Sequence, residues 1–210
     1  MQKYVLFFLA SFAIFFSCEP TIPEVEQKLP ILGNRDIDGI DTIYHQIPDF
    51  VFVNQDSLTV TNATFANKMY VADFFFTSCP TICPKVKKQM LRLYERYENQ
   101  DSLLFVSFTV DPKRDTVEKL HQYAGNLEVS TERWHFLTGE KDDLYGIADD
   151  HFSVAKEDPN VPGGFDHSGR LILVDENRHV RAFCDGTNAA SVDRFMLDIE
   201  KLLSEMRGEI

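Results

Sequence analysis

Hydrophobic residues recur along the chain with the two periods of strands and helices, in an order that predicts an α/β fold. Residues 69–76 form an almost continuous run of β-favouring apolar residues, as expected of a central strand buried on both faces. Residues 103–110 have the same character and predict a second buried strand. Between these strands, apolar residues return at helical spacing over residues 80–97, which predicts a helix with Pro84 in its first turn.

The second half of the chain extends this pattern. Asp115-Thr116 is typical of a helix cap, and the helix is predicted to run through residue 123 and to end at Gly125. The turn at residues 175–177 separates two β-favouring runs and predicts an antiparallel hairpin. Ser191 is predicted to open a last amphipathic helix that reaches Met206. The remaining predicted elements are a strand at 134–137, a helix at 141–151, and hairpin strands at 170–174 and 179–184.

The order of these elements predicts a thioredoxin-like fold for residues 48–210. A strand, a helix and a strand are followed by helices, an antiparallel hairpin and a final helix. The fold is expected to carry an N-terminal β-hairpin extension, formed by residues 50–53 and 58–61, and an insertion before the final hairpin.

Residues 18–47 are predicted to be a lipid-anchored tether and linker. Residues 19–30 contain three prolines and three glutamates, a composition that favours a semi-extended chain over a packed core. Residues 31–48 are transitional and fit a short hairpin through Asp38-Gly39.

Residues 1–17 have the pattern of a lipoprotein-type signal peptide. Lys3 is their only charge, and the apolar stretch at 4–16 is shorter than the ~20 residues of a membrane-spanning helix. Ser17-Cys18 follows, so we expect Cys18 to become the lipidated N-terminus, although Phe15 stands where such signals prefer leucine. The alternative is an ordinary cleaved or short uncleaved signal. Either signal places the domain in the cell envelope on the non-cytoplasmic side of a membrane, which for a bacterium is the periplasm.

Charge and composition exclude some classes of function. The 210 residues include 21 Lys and Arg against 33 Asp and Glu, a formal net charge of −12. A chain this acidic is repelled by nucleic acid, so we exclude nucleic acid as a partner. The acidity is compatible with a basic protein partner, but solubility explains it equally well.

Two of the four cysteines, Cys79 and Cys83, directly follow the predicted central strand. Ligand sites in α/β sheets form beyond the carboxyl ends of strands, and a helix N-terminus lowers the pKa of a nearby thiol. The spacing of four residues lets both thiols point the same way from an exposed end of the helix. Such a pair is compatible with a structural disulfide, a redox-active pair, or a soft-metal site for copper or zinc.

A thioredoxin-like fold predicts a third residue at this place. The first strand of the final hairpin runs antiparallel to the central strand, so the residues just before Leu171 lie beside the end of the central strand. His167, on a glycine-flanked loop, therefore falls close to the two thiols. A Cys, Cys, His set suits copper, and the alternative for His167 is a solvated loop histidine.

Three stretches of the sequence resemble the Sco/SenC family. They are residues 73–84 (DFFFTSCPTICP), residues 107–116 (SFTVDPKRDT) and residues 166–168 (DHS) ahead of residues 171–175. They occur in the order and spacing of that family, and the resemblance covers residues 48–205.

The resemblance implies a thioredoxin fold that holds one copper ion per chain, Cu(I) or Cu(II), through Cys79, Cys83 and His167. It also implies a membrane-anchored metallochaperone that delivers copper to the dinuclear copper site of cytochrome c oxidase during assembly. This role favours a non-enzymatic function and leaves an accessory thiol–disulfide reductase activity open. The partner is then the copper-bearing oxidase subunit or another copper carrier. A lipid on Cys18 would replace the transmembrane helix of other members.

Other functions stay open at this stage. The first alternative is a thiol–disulfide oxidoreductase that uses Cys79 and Cys83 to keep target cysteines reduced. A peroxidase of the same fold and a lipoprotein that only binds or supports a partner are weaker alternatives.

The other candidate residues have simpler interpretations. Asp111 fits a turn or cap before Pro112, with tuning of the site as the alternative. Cys184 fits a small buried or semi-buried residue, with a free reactive thiol as the alternative. The other five histidines fit structural or surface positions, and they are His45, His121, His135, His151 and His179.

Overall fold

The computed structural model describes residues 27–38 and 41–210. The predicted signal peptide, Cys18 and the first part of the tether lie outside the described residues. Among the residues that are described, no helix combines the length and the apolar character needed to cross a membrane.

The described residues form eleven strands and four α-helices, numbered here in chain order. The strands are β1 Arg35–Asp38, β2 Asp41–Tyr44, β3 Val51–Asn54, β4 Thr59–Thr61, β5 Met69–Phe75, β6 Leu103–Thr109, β7 Trp134–Thr138, β8 Ala155–Glu157, β9 Phe165–His167, β10 Arg170–Val174 and β11 Val180–Asp185. The helices are α1 Cys83–Arg96, α2 Val117–Leu127, α3 Lys141–Asp150 and α4 Ala189–Met206.

A seven-stranded sheet forms the centre of the molecule, in the order β11-β10-β5-β6-β7-β3-β4. Strands β5, β6 and β7 run parallel, whereas β10 and β3 pair antiparallel to β5 and β7. Every residue of β5 and β6 is buried, as expected of central strands that are covered on both faces. The predicted thioredoxin-like α/β fold is confirmed.

The helices divide between the two faces of the sheet. Lys87 of α1 and Tyr123 of α2 both contact the Phe75 ring, so these helices share one face. Helix α4 lies beside α1 and contacts β11. Helix α3 lies on the other face, where the His151 ring at its end contacts Phe74 of β5.

The predicted end of α2 and the predicted start of α4 are wrong. Helix α2 continues through Gly125 and ends where Glu128 adopts a left-handed conformation, with φ of 56°. Helix α4 begins at Ala189 rather than at Ser191, because the Asn188 side chain accepts a hydrogen bond from the Ser191 N–H and so caps the helix three residues earlier.

The hairpin β3–β4 extends the sheet beside β7, and β1–β2 forms the short hairpin predicted within residues 31–48. The small sheet β8–β9 lies directly before the β10–β11 hairpin, at the predicted insertion.

Part of the predicted tether is packed against the domain. The Arg181 guanidinium donates to the backbone carbonyls of Leu29 and Pro30, and it also pairs with Asp175 at 3.0 Å and Glu205 at 2.7 Å. Arg181, Asp175 and Glu205 are nearly buried, with side chains at most 9% exposed. Ile47 is fully buried. Leu29, Pro30 and Ile47 therefore pack with the folded body, because their contacts satisfy a buried guanidinium or bury apolar surface.

One ion pair inside the core fixes α1 to the sheet. The Lys87 ammonium lies 2.8 Å from both carboxylate oxygens of Asp73 on β5 and 2.6 Å from the Ser107 hydroxyl on β6. Ser107 donates to Asp73 and accepts from the Trp134 indole N–H at 2.9 Å, so the network is satisfied. Since Lys87 follows Cys83 by one helical turn, this network holds the first turn of α1 in place.

Replacing Lys87 with methionine leaves the Asp73 carboxylate buried without its cation, so we expect the free energy of unfolding to fall by about 3–5 kcal/mol. Urea denaturation of the full-length chain measures this loss. The double variant Lys87→Met/Asp73→Leu should recover most of it, because no unpaired charge is then left in the core. Lys88→Met, at the exposed neighbouring position, is the matched control and should change stability by no more than about 0.5 kcal/mol. Equal losses for Lys87→Met and Lys88→Met would contradict the prediction.

Candidate metal centre

Cys79 lies in the turn that follows β5, before α1 begins. Its backbone N–H donates to the Phe76 carbonyl at 3.2 Å, which closes the turn over residues 76–79. The prediction that α1 starts at residue 80 is wrong, because the helix begins at Cys83. A helix continuing back to residue 80 would set the Pro84 ring against the carbonyl four residues earlier.

The Asp115 carboxylate fixes the start of this turn to the neighbouring strand. One of its oxygens accepts from the Thr77 N–H at 3.0 Å and from the Thr109 hydroxyl at 2.6 Å, and the other accepts from the Thr77 hydroxyl at 2.5 Å. Asp115 is fully buried, whereas Thr116 caps α2 by accepting from the Lys119 N–H. Of the two residues predicted to form a helix cap, Thr116 caps α2, whereas Asp115 is a buried support for the turn that carries Cys79.

Cys83 is the first residue of α1 and is followed by Pro84 in the first turn. Its thiol lies near the turn that carries Cys79, and no disulfide joins the two sulfurs. The pair is therefore held by two elements, a turn for Cys79 and a helix start for Cys83, rather than by one helix as the spacing predicts.

His167 is the last residue of the short strand β9 and not a loop residue. Its ring packs edge-on against Phe76, with ring centroids 5.1 Å apart. The segment between β8 and β9 covers this contact, since Gly163 adopts φ of +89° and lies against the Phe76 ring and Pro80. A Cβ on residue 163 would lie 2.6 Å from the Phe76 ring, so the close approach requires glycine there.

The three side chains meet at one point. The His167 Nε2 lies 3.1 Å from the Cys83 Sγ and 3.6 Å from the Cys79 Sγ. All three candidate ligand atoms lie within 4.8 Å of one another, and within 27–38 and 41–210 no other group of three such residues does so.

The hydrogen bonds of His167 define its tautomer. Nδ1 lies 3.2 Å from the Phe165 carbonyl, which can only accept, so Nδ1 carries the hydrogen. Nε2 is then left as a bare lone pair that faces both sulfurs. Burial also lowers the pKa of His167, although the contact with Phe165 opposes this, so the imidazole is neutral near pH 7.

The two thiols differ in their ease of ionisation. Burial opposes ionisation of Cys79, but hydrogen bonds from Cys83 and Thr81 outweigh it and lower the pKa of the Cys79 thiol. Deeper burial raises the pKa of the Cys83 thiol, and the neighbouring Cys79 adds to this effect. Cys79 is therefore the thiol that ionises first, and Cys83 is the one that stays protonated and can donate to it.

The cluster is more enclosed than the sequence predicts. Cys79, Cys83 and His167 are 7%, 4% and 9% exposed, so the expectation of an exposed site is wrong. The reason is that Phe76 and residues 163–165 cover the imidazole side. The thiol side borders a cavity between α1 and α2, and this cavity gives the sulfurs their access to solvent.

The distances fit a three-coordinate soft metal. With metal–sulfur bonds of ~2.3 Å and metal–nitrogen bonds of ~2.0 Å, planar trigonal coordination requires about 3.7 Å between sulfur and nitrogen. The Cys79–His167 distance of 3.6 Å matches, and the 3.1 Å Cys83–His167 distance has to open slightly. Two thiolates and a neutral imidazole suit Cu(I), whereas a structural zinc site takes a fourth ligand.

The remaining candidates make structural contacts. The Asp111 backbone carbonyl accepts from the N–H groups of Arg114 and Asp115, and the Asp111 carboxylate pairs with the Arg114 side chain at 3.1 Å, as expected of a turn residue. Cys184 is buried on β11, and burial raises the pKa of its thiol to about 12, so it behaves as a small core residue. The other five histidines each have a hydrogen-bond partner: His45 with Asp150, His121 with Asp56, His135 with Asn54, His151 with Tyr70, and His179 with His45.

Sequence reasoning missed two residues that position the cluster, Asp115 and Lys87. A signal for Lys87 was present, because Asp73 interrupts an apolar strand and a buried carboxylate requires a buried cation or hydrogen-bond donors. No comparable signal distinguishes Asp115, since its partners Thr77 and Thr109 come together only in the folded sheet.

The sequence model of the SCO1/SenC family matches residues 41–204 of this chain. The fold is similar to that of a SCO1/SenC family lipoprotein from Bacillus anthracis str. Ames, with 30% identity, a TM-score of 0.69, and coverage of 75% of this chain and 95% of that one. It is also similar to BsSco of Bacillus subtilis, a member of the Sco family of cytochrome c oxidase assembly proteins, with 26% identity, a TM-score of 0.67, and coverage of 84% and 98%.

A third similar structure is Arabidopsis thaliana ScoI with copper bound. It is 23% identical, with a TM-score of 0.62 and coverage of 73% of this chain and 98% of that one, and at this identity it shows the fold alone.

Replacing Asp115 with alanine removes the acceptor for the Thr77 N–H and two hydroxyl groups, so we expect a loss of about 1–3 kcal/mol in stability. Because Thr77 begins the cysteine turn, amide hydrogen exchange at residues 77–79 should also become faster. Urea denaturation and exchange measured by mass spectrometry test both effects. Asp111→Ala is the control, since the Asp111 carboxylate bonds to Arg114 and not to the turn. Equal exchange at residues 77–79 in the two variants would show that Asp115 does not support the turn.

Proposed function

The chain belongs to the SCO1/SenC family, and we propose that it binds one copper ion and delivers it to the dinuclear copper site of cytochrome c oxidase during assembly of that enzyme. The proposed ligands are Cys79, Cys83 and neutral His167. The proposed recipient is the copper-bearing oxidase subunit or another copper carrier. This function is that of a metallochaperone and involves no turnover of a substrate.

One observation carries the proposal. The Cys79 thiol on a strand-end turn, the Cys83 thiol at a helix start and the unprotonated Nε2 of His167 lie within 4.8 Å of one another. His167 lies more than 80 residues along the chain from both cysteines, so its meeting with them is a property of the fold and not of local sequence. The soft donor set of two thiols and an imidazole supports the choice of copper as cargo. The oxidase-assembly role of the family of BsSco supports the choice of recipient.

The protonation states of Cys79, Cys83 and His167 determine which protons copper must displace when it binds and which ligand can leave during transfer. Binding of Cu(I) displaces the thiol protons of Cys79 and Cys83 to solvent, while the Nε2 lone pair of His167 needs no deprotonation. Three donors leave copper open to a fourth ligand from the recipient. As that ligand bonds, one thiolate of this chain can leave and take up a proton, so copper moves without a free ion and without change of oxidation state.

The proposed location is the cell envelope, with the domain held to a membrane by a lipid on Cys18 and facing the non-cytoplasmic side. Residues 1–26 lie outside the described part of the chain, so this proposal is carried by their sequence pattern. The similar Bacillus anthracis protein is a lipoprotein of the same family, which supports this form of anchor.

Titration of the reduced full-length chain in detergent with Cu(I), against a coloured competing chelator, should end at one copper per chain. Cys83→Ala removes a thiolate, so we expect the affinity to fall by at least about 100-fold. In a separate loading of the reduced chain with Cu(II), His167→Ala keeps both thiolates but should shift the thiolate-to-Cu(II) charge-transfer band, because the nitrogen donor is lost. His121→Ala, at an exposed position on α2, should change neither quantity. Retention of one tightly bound copper by Cys83→Ala would sink the proposal.

A second candidate, a thiol–disulfide oxidoreductase, is favoured by the unequal pKa values of the two thiols. In this reaction the Cys79 thiolate attacks a target disulfide and releases one target thiolate. Cys83 then loses its proton and attacks Cys79, which releases the second target thiol and leaves Cys79 and Cys83 as a disulfide. Two electrons pass from this chain to the target, and an external thiol must reduce the pair again.

The two candidates respond differently to His167→Ala. A reductase should keep its rate within about tenfold, because Cys83 and Thr81 stabilise the Cys79 thiolate without the imidazole. Stopped-flow reduction of a model peptide disulfide measures this rate, with Cys79→Ser as the inactive control. Loss of both copper binding and reductase activity in His167→Ala would contradict the assignment of independent roles.

A further inference from the structure

The α1–α2 cavity, the surface cavity beside the two thiols, has a composition that the copper site alone does not explain. It has a volume of about 300 Å³, and its walls are the partly exposed side chains of Leu91, Tyr123 and Leu127. Its full lining is Thr77, Cys79, Cys83, Pro84, Lys87, Lys88, Leu91, Tyr123 and Leu127. The cavity thus has apolar walls, and both cysteines belong to its lining.

The charge of this cavity is opposite to that of the chain. Two lysines and no carboxylate line it, although the sequence has 33 acids and a net charge of −12. Lys87 is neutralised by Asp73 inside the core, but Lys88 is exposed and forms no ion pair with any described residue. By contrast, the cavity beside α3 is lined by Asp49, Asp142, Asp143 and Asp150 and by no cation.

We propose that the α1–α2 cavity is the docking surface for a peptide segment of the partner protein that carries an acidic and an apolar side chain beside its thiol. The inference rests on the proposed function and specifies the partner at that same site. The apolar side chain packs between Leu91, Tyr123 and Leu127, and the carboxylate pairs with Lys88 at the cavity mouth. This placement brings the partner's thiol to the Cys79 and Cys83 sulfurs, where ligand exchange or thiol exchange takes place.

The charge pattern supports local recognition over long-range attraction. At physiological ionic strength the Debye length is about 8 Å, so the net charge of the chain is screened while a carboxylate seated beside Lys88 is not. A pair of this kind at a partly exposed position contributes up to about 1 kcal/mol, or roughly fivefold in rate. The apolar wall supplies the remainder by excluding water from the seated side chain.

The test uses short peptides whose single cysteine is joined to 5-thio-2-nitrobenzoate. The Cys79 thiolate attacks the peptide sulfur, a protein–peptide disulfide forms, and the coloured thiolate leaves, so the rate is read by absorbance without copper. The full-length Cys83→Ser chain is used in detergent, so that Cys79 stays joined to the peptide. The Cys79→Ser/Cys83→Ser chain supplies the background from other cysteines.

Peptides with Glu and Leu beside the cysteine should react about three- to fivefold faster than peptides with Lys and Leu. Lys88→Glu, added to the same chain, should reverse this order. Lys68→Glu makes the same charge change at the opposite end of β5 and should leave the ratio as it was. Replacing Leu with Ser in the peptide should slow the reaction, and Leu127→Ala should remove that difference.

The proposal is overturned if the Glu and Lys peptides react equally, or if Lys88→Glu and Lys68→Glu change their ratio to the same extent. Circular dichroism of each variant establishes that it is folded before rates are compared. Copper titration of the parent chain is measured separately. If the chain with both cysteines intact binds no copper but the peptides are still discriminated, the copper function is refuted and the docking surface stands. If that chain binds copper but the peptides react equally, the docking surface alone is refuted.

Discussion

The antiparallel ladder between β5 and β10 determines where the candidate ligands meet. Ile172 pairs with Ala72, and continuing that register places His167 opposite Thr77, two residues before Cys79. A slip of one residue would turn each side chain of β10 to the other face of the sheet and carry the imidazole away from the sulfurs. The buried apolar residues of β10, which all face a packed layer, make such a slip costly. The chemistry of the site therefore depends on the packing of a strand that contributes no ligand.

The enclosure of the cluster has a second physical effect. Thiols, thiolates and an imidazole are polar groups that must find partners once water is excluded. Here they find each other and a few backbone groups, with the Phe165 carbonyl holding the imidazole and the Cys83 thiol available to Cys79. When a soft cation replaces the two thiol protons, its positive charge offsets the repulsion between the two thiolates. The Lys87–Asp73 pair lies beneath them as a neutral unit, so it anchors the helix without strongly biasing the charge of the site.

Much of this architecture could be predicted from sequence, and the misses share a cause. The fold was predicted from the apolar runs of β5 and β6 and from the hairpin of β10 and β11. The proximity of His167 to the two thiols was then predicted from the fold. The start of α1, the strand that ends in His167 and the buried role of Asp115 depend on contacts between distant segments. Local patterns do not encode such contacts: Thr77, Thr109 and Asp115 form a unit only after β5 and β6 pair. The enclosure of the site was missed for the same reason, since Gly163 reaches Phe76 across almost ninety residues of sequence.

The hydrogen bonds from Arg181 to the backbone of Leu29 and Pro30 lie at the end of the sheet where β5 begins. The sulfurs of the two cysteines lie beyond the opposite end, where β5 finishes. Any pull transmitted along the N-terminal chain therefore enters the molecule through β11, Asp175 and Glu205. The length of the sheet separates that point of mechanical load from the cysteine turn. A force applied at Leu29 and Pro30 would therefore act on the body as a unit, away from the spacing of sulfur and nitrogen in the cluster.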